Sequence, residues 1–294
     1  MHKIRMSLTV ITLAALLLSC NLINPAEEIP ALIKIDTVLV TVNEFDKGSD
    51  SHQMTDIWIS VGGKTLGVFE MPALIPCLVD TVSQWIYIRA GVKMNGMAST
   101  RVAYPFFVPY QLNLTGKPVD IELEAGKTVT ITPTFTYKDE CVFAWIEEFE
   151  DAGVTFNYAS YSDTVFKNQN EIVKDGRFSG VIYLDSTNCY FEATSSEDFS
   201  LPRDGTSILL EFDYRNNVEF EIGTYVIEDE VATWSSLIMV RNSDTWQRVY
   251  IDIHSTVAYE TEADLFRMGF RAAWDSTGIE TQSILLDNIK LIHF

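Results

Sequence analysis

The chain has 294 residues, with 41 acidic against 21 basic side chains and a formal charge of −20 at neutral pH. That excess of negative charge excludes nucleic acid as a partner and argues against attachment to anionic lipid through a basic patch. With 47% hydrophobic and 12% aromatic residues, the chain has ample material for packed cores and is not a disordered sequence.

The first element in chain order is a leader. Lys3 and Arg5 precede an apolar run from Leu8 to Leu18, and Leu17-Leu18-Ser19-Cys20 closes it; the run is too short for the roughly 20 residues that span a bilayer. The tetrapeptide resembles the bacterial lipobox. The resemblance implies that residues 1–19 are a lipoprotein signal peptide, that Cys20 is diacylated, and that the acyl chains are the membrane anchor. An ordinary cleaved signal or a short anchor helix is the other reading of the same residues. Residues 20–32 carry Pro25, Pro30 and Glu27-Glu28 and read as a tether. Ala26-Glu27-Glu28 resembles the acidic surface-export signal of Bacteroidota lipoproteins, which implies an outer-membrane, lipid-anchored protein on the cell surface; a solvated linker needs the same residues.

Residues 33–138 read as short strands: Ile35 to Thr41, Asp56 to Val61, Gln84 to Arg89, Asp120 to Glu124 and Thr128 to Thr132 all show β-branched or aromatic alternation. Gly62-Gly63 between two runs is a hairpin signal. An antiparallel sandwich of immunoglobulin-like size is expected. Trp58 to Pro72 is similar to the small β-sandwich repeats of extracytoplasmic bacterial proteins, which implies a presenting or docking module. The cluster Ala103-Tyr104-Pro105-Phe106-Phe107-Val108-Pro109-Tyr110 suits an edge or a packed loop: exposed, it is a patch for docking another envelope protein; buried, it packs within the molecule.

A charged break at Lys138 to Cys141 precedes a second domain, residues 142–294. About eight strands, running from Phe143 through Phe178–Leu184, Cys189–Ala193, Ser207–Tyr214, Val218–Ile227, Trp246–Ile253 and Phe266–Ala272 to Ser283–Ile292, predict a two-sheet jelly roll. The expected class is thus all-β, two β-sandwich domains. The ends of the second, Glu148-Phe149-Glu150-Asp151 and Leu285-Leu286-Asp287-Asn288-Ile289-Lys290-Leu291, are similar to the first and last strands of carbohydrate-binding jelly-roll modules. That resemblance implies adjacent end strands and a structural calcium held by Glu148, Glu150, Asp151 and Asp287, calcium preferring six to eight oxygen ligands. Asp287-Asn288 also reads as a turn that bonds to backbone.

Glycan recognition needs flat aromatic faces beside polar groups. Trp234, in a predicted loop, Trp274, at a strand end, and Tyr225 are the candidates, with core or edge packing the competing reading. Trp246 reads as core. Catalysis has no support in the motifs: His52, His254 and His293 are dispersed, with no HExxH and no Gly-rich phosphate loop. Of the cysteines, Cys77 reads as core, and Cys141 and Cys189 are able to pair outside the cytoplasm. The expected protein is a noncatalytic glycan-binding lipoprotein on a spacer, or alternatively an assembly lipoprotein docking through Tyr104 to Tyr110.

Overall fold

The computed structural model describes residues 27–42, 47–78, 85–114 and 120–294. The leader with Cys20 and most of the tether lie outside the described residues. No described helix is long and apolar enough to cross a membrane.

Alternation of buried and exposed side chains builds the first group of strands: β1 (Ala31–Ile35), β2 (Leu39–Val40), β3 (Asp56–Val61), β4 (Lys64–Glu70), β5 (Ala73–Cys77), β6 (Trp85–Lys93), β7 (Arg101–Ala103), β8 (Tyr110–Asn113), β9 (Thr128–Thr130) and β10 (Thr134–Phe135). One sheet runs β4-β3-β6-β7 with β8 also on β6; facing it are β5-β1-β9 and the pair β10-β2. The predicted Gly62-Gly63 hairpin is present, both glycines at positive φ (56° and 78°), as a two-residue turn between twisted strands requires. Three expectations fail locally. The sandwich is not wholly antiparallel, since β1 pairs with β9 and β2 with β10 in parallel. The predicted strand Ile35 to Thr41 breaks after Ile35, so the chain moves from one small sheet to another, and Asp120 to Glu124 forms no strand despite its alternation.

The second group comprises β11 (Val142–Glu147), β12 (Phe156–Tyr158), β13 (Lys167–Gln169), β14 (Ser179–Leu184), β15 (Tyr190–Ser195), β16 (Ile208–Asn216), β17 (Phe220–Glu228), β18 (Val231–Val240), β19 (Ser243–Asp252), β20 (Leu265–Ala273) and β21 (Gln282–His293). They form two antiparallel sheets, β13-β14-β21-β16-β19 with β11 on β21, and β12-β15-β20-β17-β18. Phe191, Phe212, Phe220, Phe266 and Phe270 fill the space between them. The chain is all-β, built as sandwiches. The first and last strands are neighbours, Glu147 opposite Ile289, as the end motifs implied. The segment expected as a loop around Trp234 is instead β18, hairpinned to β17 through Asp229 and Glu230, both at positive φ.

The outer face of the β21-containing sheet is covered. Leu209, Tyr250 and Ile292 belong to the hydrophobic core of the first strand group, among Phe106, Phe107 and Tyr137. Across this junction lies a buried polar cluster. Arg248 pairs with Asp213 (2.8 Å) and Glu211 (3.1 Å), all three side chains essentially inaccessible. Tyr104 donates to Glu211 at 2.6 Å and Ser51 to Asp213 at 2.7 Å, both from the first group. Gln53 accepts from the Arg248 backbone at 2.6 Å. Burial disfavours the Arg248 charge, but Asp213 and Glu211 outweigh it and keep the group protonated. The stretch Tyr104 to Phe107 is therefore interior, with Phe106 also against Phe294 at 4.9 Å, and no exposed aromatic docking patch exists there. Trp246, expected in the core, is only half buried on β19.

Arg248→Met leaves two buried carboxylates without their cation, and removal of one member of a buried pair costs about 3–5 kcal/mol. Chemical denaturation of the variant shows a loss of that size; a change under about 1 kcal/mol would remove Arg248 from the junction's energetics.

Candidate functional site

The other sheet of the second sandwich keeps one face open. Strand alternation sends Phe191, Phe220, Ile222, Phe266 and Phe270 inward, so Tyr190, Glu192, Glu221, Tyr225, Trp234, Arg267 and Arg271 stand on the opposite face. Register brings Glu192, Arg271 and Glu221 into one cross-strand row and Arg267, Tyr225 and Trp234 into another. The row between them is Thr194, Gly269, Gly223 and Ser236.

Those two glycines make room for an indole. A Cβ on Gly223 would lie 2.3 Å from Trp234 Cζ2, and one on Gly269 2.4 Å from Cζ3, so the ring rests directly on the backbone of β17 and β20. The Arg271 guanidinium carbon is 3.6 Å from the ring centroid, a cation–π stack. Tyr225 meets the indole edge-on at 5.3 Å.

Glu192 anchors the group. Arg271 Nε pairs with its Oε2 at 2.8 Å and Nη2 donates to Oε1 at 3.2 Å. Tyr190 donates to Oε2 at 2.8 Å, Tyr161 to Oε1 at 3.2 Å, and Tyr225 also donates to Oε1. Arg271 in turn donates to the Tyr225 hydroxyl at 2.6 Å. Burial pushes the Glu192 carboxyl up, yet the hydrogen bonds from Tyr225, Tyr190 and Arg271 outweigh it and hold the group below the usual carboxylate range. Burial and the Glu192 carboxylate push the Tyr225 phenol up to about 12. At neutral pH Glu192 is thus an ionised carboxylate, Arg271 a cation stacked on an indole and Tyr225 a neutral phenol, an arrangement of flat aromatic surface and fixed hydrogen-bonding groups.

Trp234 and Tyr225, expected from sequence, come together here. Trp274 does not: it follows β20 on the inward side, packs against the core, and its Nε1 is buried with no partner among the described residues. Arg271, Glu192, Tyr190 and Tyr161 were not singled out in the sequence. The alternation Tyr190-Phe191-Glu192-Ala193 was the available signal, since it places two polar-capable residues opposite a core phenylalanine.

The four calcium candidates are not brought together as a ligand set. Among the described residues no group of three or more His, Cys, Asp or Glu side chains is placed to hold a metal. Glu150 instead accepts from the backbone of Arg177 (2.5 Å) and Phe178 (2.8 Å), and pairs with Arg177 Nε at 3.1 Å. Asp287 accepts from the backbone of Lys174 (3.2 Å), Asp175 (3.3 Å) and Asn288 (2.9 Å). The two carboxylates clasp one loop from both ends of the domain. Glu148 turns toward Lys290, and Asp151 is exposed. Cys141 and Cys189 do not pair: their sulfurs lie against Phe106 O (3.6 Å) and Asp163 Oδ2 (3.4 Å).

No family model matches the chain, and no curated protein matches it. Solved structures do. A xylan-binding domain of carbohydrate-binding module family 22 aligns at 11% identity and TM-score 0.37, over 52% of this chain and 96% of its own. A family 29 carbohydrate-binding module aligns at 14% identity and TM-score 0.34, over 52% and 88%. The enzymatically active domain of bacteriophage CBA120 tailspike protein 4 aligns at 13% identity and TM-score 0.38, over 50% and 20%. At these identities and scores the likeness assigns no activity.

Asp287 supplies a pH signature. Burial pushes its carboxyl up to about 8 despite the three backbone donors, whereas an unfolded aspartate titrates near 3.9. A proton held more tightly in the folded state makes this group's contribution to stability greatest below about pH 4, and that contribution is lost as pH rises from there to about 8. Asp287→Asn flattens that slope in denaturation curves taken across the window; an unchanged slope would place Asp287 ionised throughout.

Proposed function

We propose that the protein is a noncatalytic glycan-binding lipoprotein, holding saccharide on the open sheet face around Trp234. The observation that carries the reading is the Trp234 indole laid on Gly223 and Gly269 and stacked with Arg271, with Tyr225 at its edge and Glu192 fixing both. A sugar offers an apolar ring face and a rim of hydroxyls. With the indole laid on the two glycines and stacked under Arg271, the first contact falls to its part-exposed edge and to the part-exposed Tyr225 phenol, while Arg271, Glu221 and the Tyr225 hydroxyl supply directional partners for the second. The opposite sheet is covered by the first strand group, so this face is the one the second sandwich presents. The lipobox-like leader supports anchoring through Cys20 and display at the outer membrane. The reading of an assembly lipoprotein docking through Tyr104 to Tyr110 has less support, because Tyr104, Phe106 and Phe107 are buried and only Val108, Pro109 and parts of Pro105 and Tyr110 reach the surface.

A glycan array probed with the soluble chain starting after Cys20, with and without calcium, shows saturable binding. Trp234→Ala weakens it by about tenfold or more, equivalent to ~1.4 kcal/mol, and Trp274→Ala leaves it intact where the variant folds. A well-folded protein that binds no glycan, or Trp234→Ala indistinguishable from the parent, removes the proposal.

A further inference from the structure

The first strand group carries a similar device on its own open sheet. Register across β3 and β6 sets Trp58 opposite Arg89 and Ser60 opposite Tyr87, with Gln111 of β8 beyond Tyr87 and Val68 and Thr65 of β4 on the other side. Alternation puts Ile57, Ile59, Ile86 and Ile88 into the core and leaves Trp58, Trp85, Tyr87 and Arg89 on the outward face. Trp85 and Tyr87 are 36% and 38% exposed, high for large rings on a sheet. Trp58 leans over a glycine: a Cβ on Gly91 would lie 2.9 Å from its Nε1. The Arg89 guanidinium carbon stands 5.8 Å from the same ring, two residues from that glycine. Trp234, Gly269 and Arg271 make a similar arrangement of indole, glycine and arginine at i±2, with that glycine two strands from the indole and Gly223 on the strand between.

From this we infer that the outward face of the β4-β3-β6-β8 sheet is a second saccharide platform, which takes an extended neutral oligosaccharide along β6. The aromatics run from the level of Gly91 to Trp85, six residues of strand or about 20 Å, a line suited to a chain of sugar rings rather than to one. Between them lie hydroxyl and amide groups, Ser60, Thr65 and Gln111, so the apolar surface comes as separate rings and not as the contiguous patch that a protein interface buries at its centre. An acidic polysaccharide is disfavoured by the formal charge of −20 on the whole chain. The site is separate from the Trp234 face and stands without it.

The test uses the soluble chain starting after Cys20 as parent, Trp234→Ala, the double variant Trp85→Ala/Tyr87→Ala, and the triple variant. Each is titrated with cellohexaose, xylohexaose and mannohexaose by calorimetry, with thermal melts to confirm folding; Trp85 and Tyr87 are exposed enough for truncation to spare the core. The expected result is saturable binding of at least one hexaose by Trp234→Ala, weakened about tenfold or more in the triple variant. Binding lost in Trp234→Ala alone overturns the second platform and leaves the first. Binding equal in Trp234→Ala and the triple variant also overturns it, as does a Trp85/Tyr87 effect confined to self-association in sedimentation. If no form binds any hexaose, the second platform fails whatever the array shows for the first.

Discussion

The buried pairing of Arg248 with Asp213 and Glu211 is the constraint from which the rest of the molecule follows. A guanidinium withdrawn from water is tolerable only where its donors are taken up, and here they are met by carboxylates on a neighbouring strand of the same sheet and a carbonyl on β21. The carboxylates are in turn met by Tyr104 and Ser51 from the other strand group. Neither half satisfies the cluster alone. The two cores therefore share a wall in which Leu209, Tyr250 and Ile292 supply apolar contact and the charge network fixes register.

That wall decides what the surface can be. A sandwich has two outward faces, and covering one commits the other to any contact with a ligand. The open face of the β20-containing sheet then carries an arrangement that packing does not require: two glycines in adjacent strands, an indole resting on them, and a cation above the indole held by a buried carboxylate. Glycine weakens a strand interior, and burying Glu192 is costly without its several donors. These groups on an outer surface are the observation on which the glycan proposal rests.

Much of this was legible in the sequence, and the failures have identifiable causes. Alternation found strands such as β6 because they have one wet face, whereas β16 and β21, covered on both faces, stood out as apolar runs. It missed β18 because Glu228-Asp229-Glu230 reads as the start of a loop, while the real turn is the two residues Asp229 and Glu230 at positive φ, and the strand beyond is an edge with little buried surface. Trp274, at a strand end, and Trp234, in an expected loop, were both candidates by type. One residue of strand parity separates them, since Arg271 and Ala273 face outward and Trp274 follows on the inward side. The acidic ends of the second domain were correctly expected to meet, but a carboxylate that could ligate a cation can equally cap backbone N–H groups, and residue type does not distinguish the two.

Arg271 and Glu192 show most clearly where one-dimensional reading stops. They lie 79 residues apart and neither forms a motif. Their meaning arises from the β15–β20 register, which sets them opposite each other, and from Gly269 two residues away, which lets Trp234 come down beside them. The same holds for Trp58, Gly91 and Arg89, joined by the β3–β6 register. In both sheets the informative residue is the glycine: its missing side chain lets an indole reach the backbone, and an arginine on the same strand and face then lies beside that ring. A search for arginine and glycine at i±2 on one strand, with tryptophan on its neighbour or the next strand, would find such faces wherever strand pairing is known.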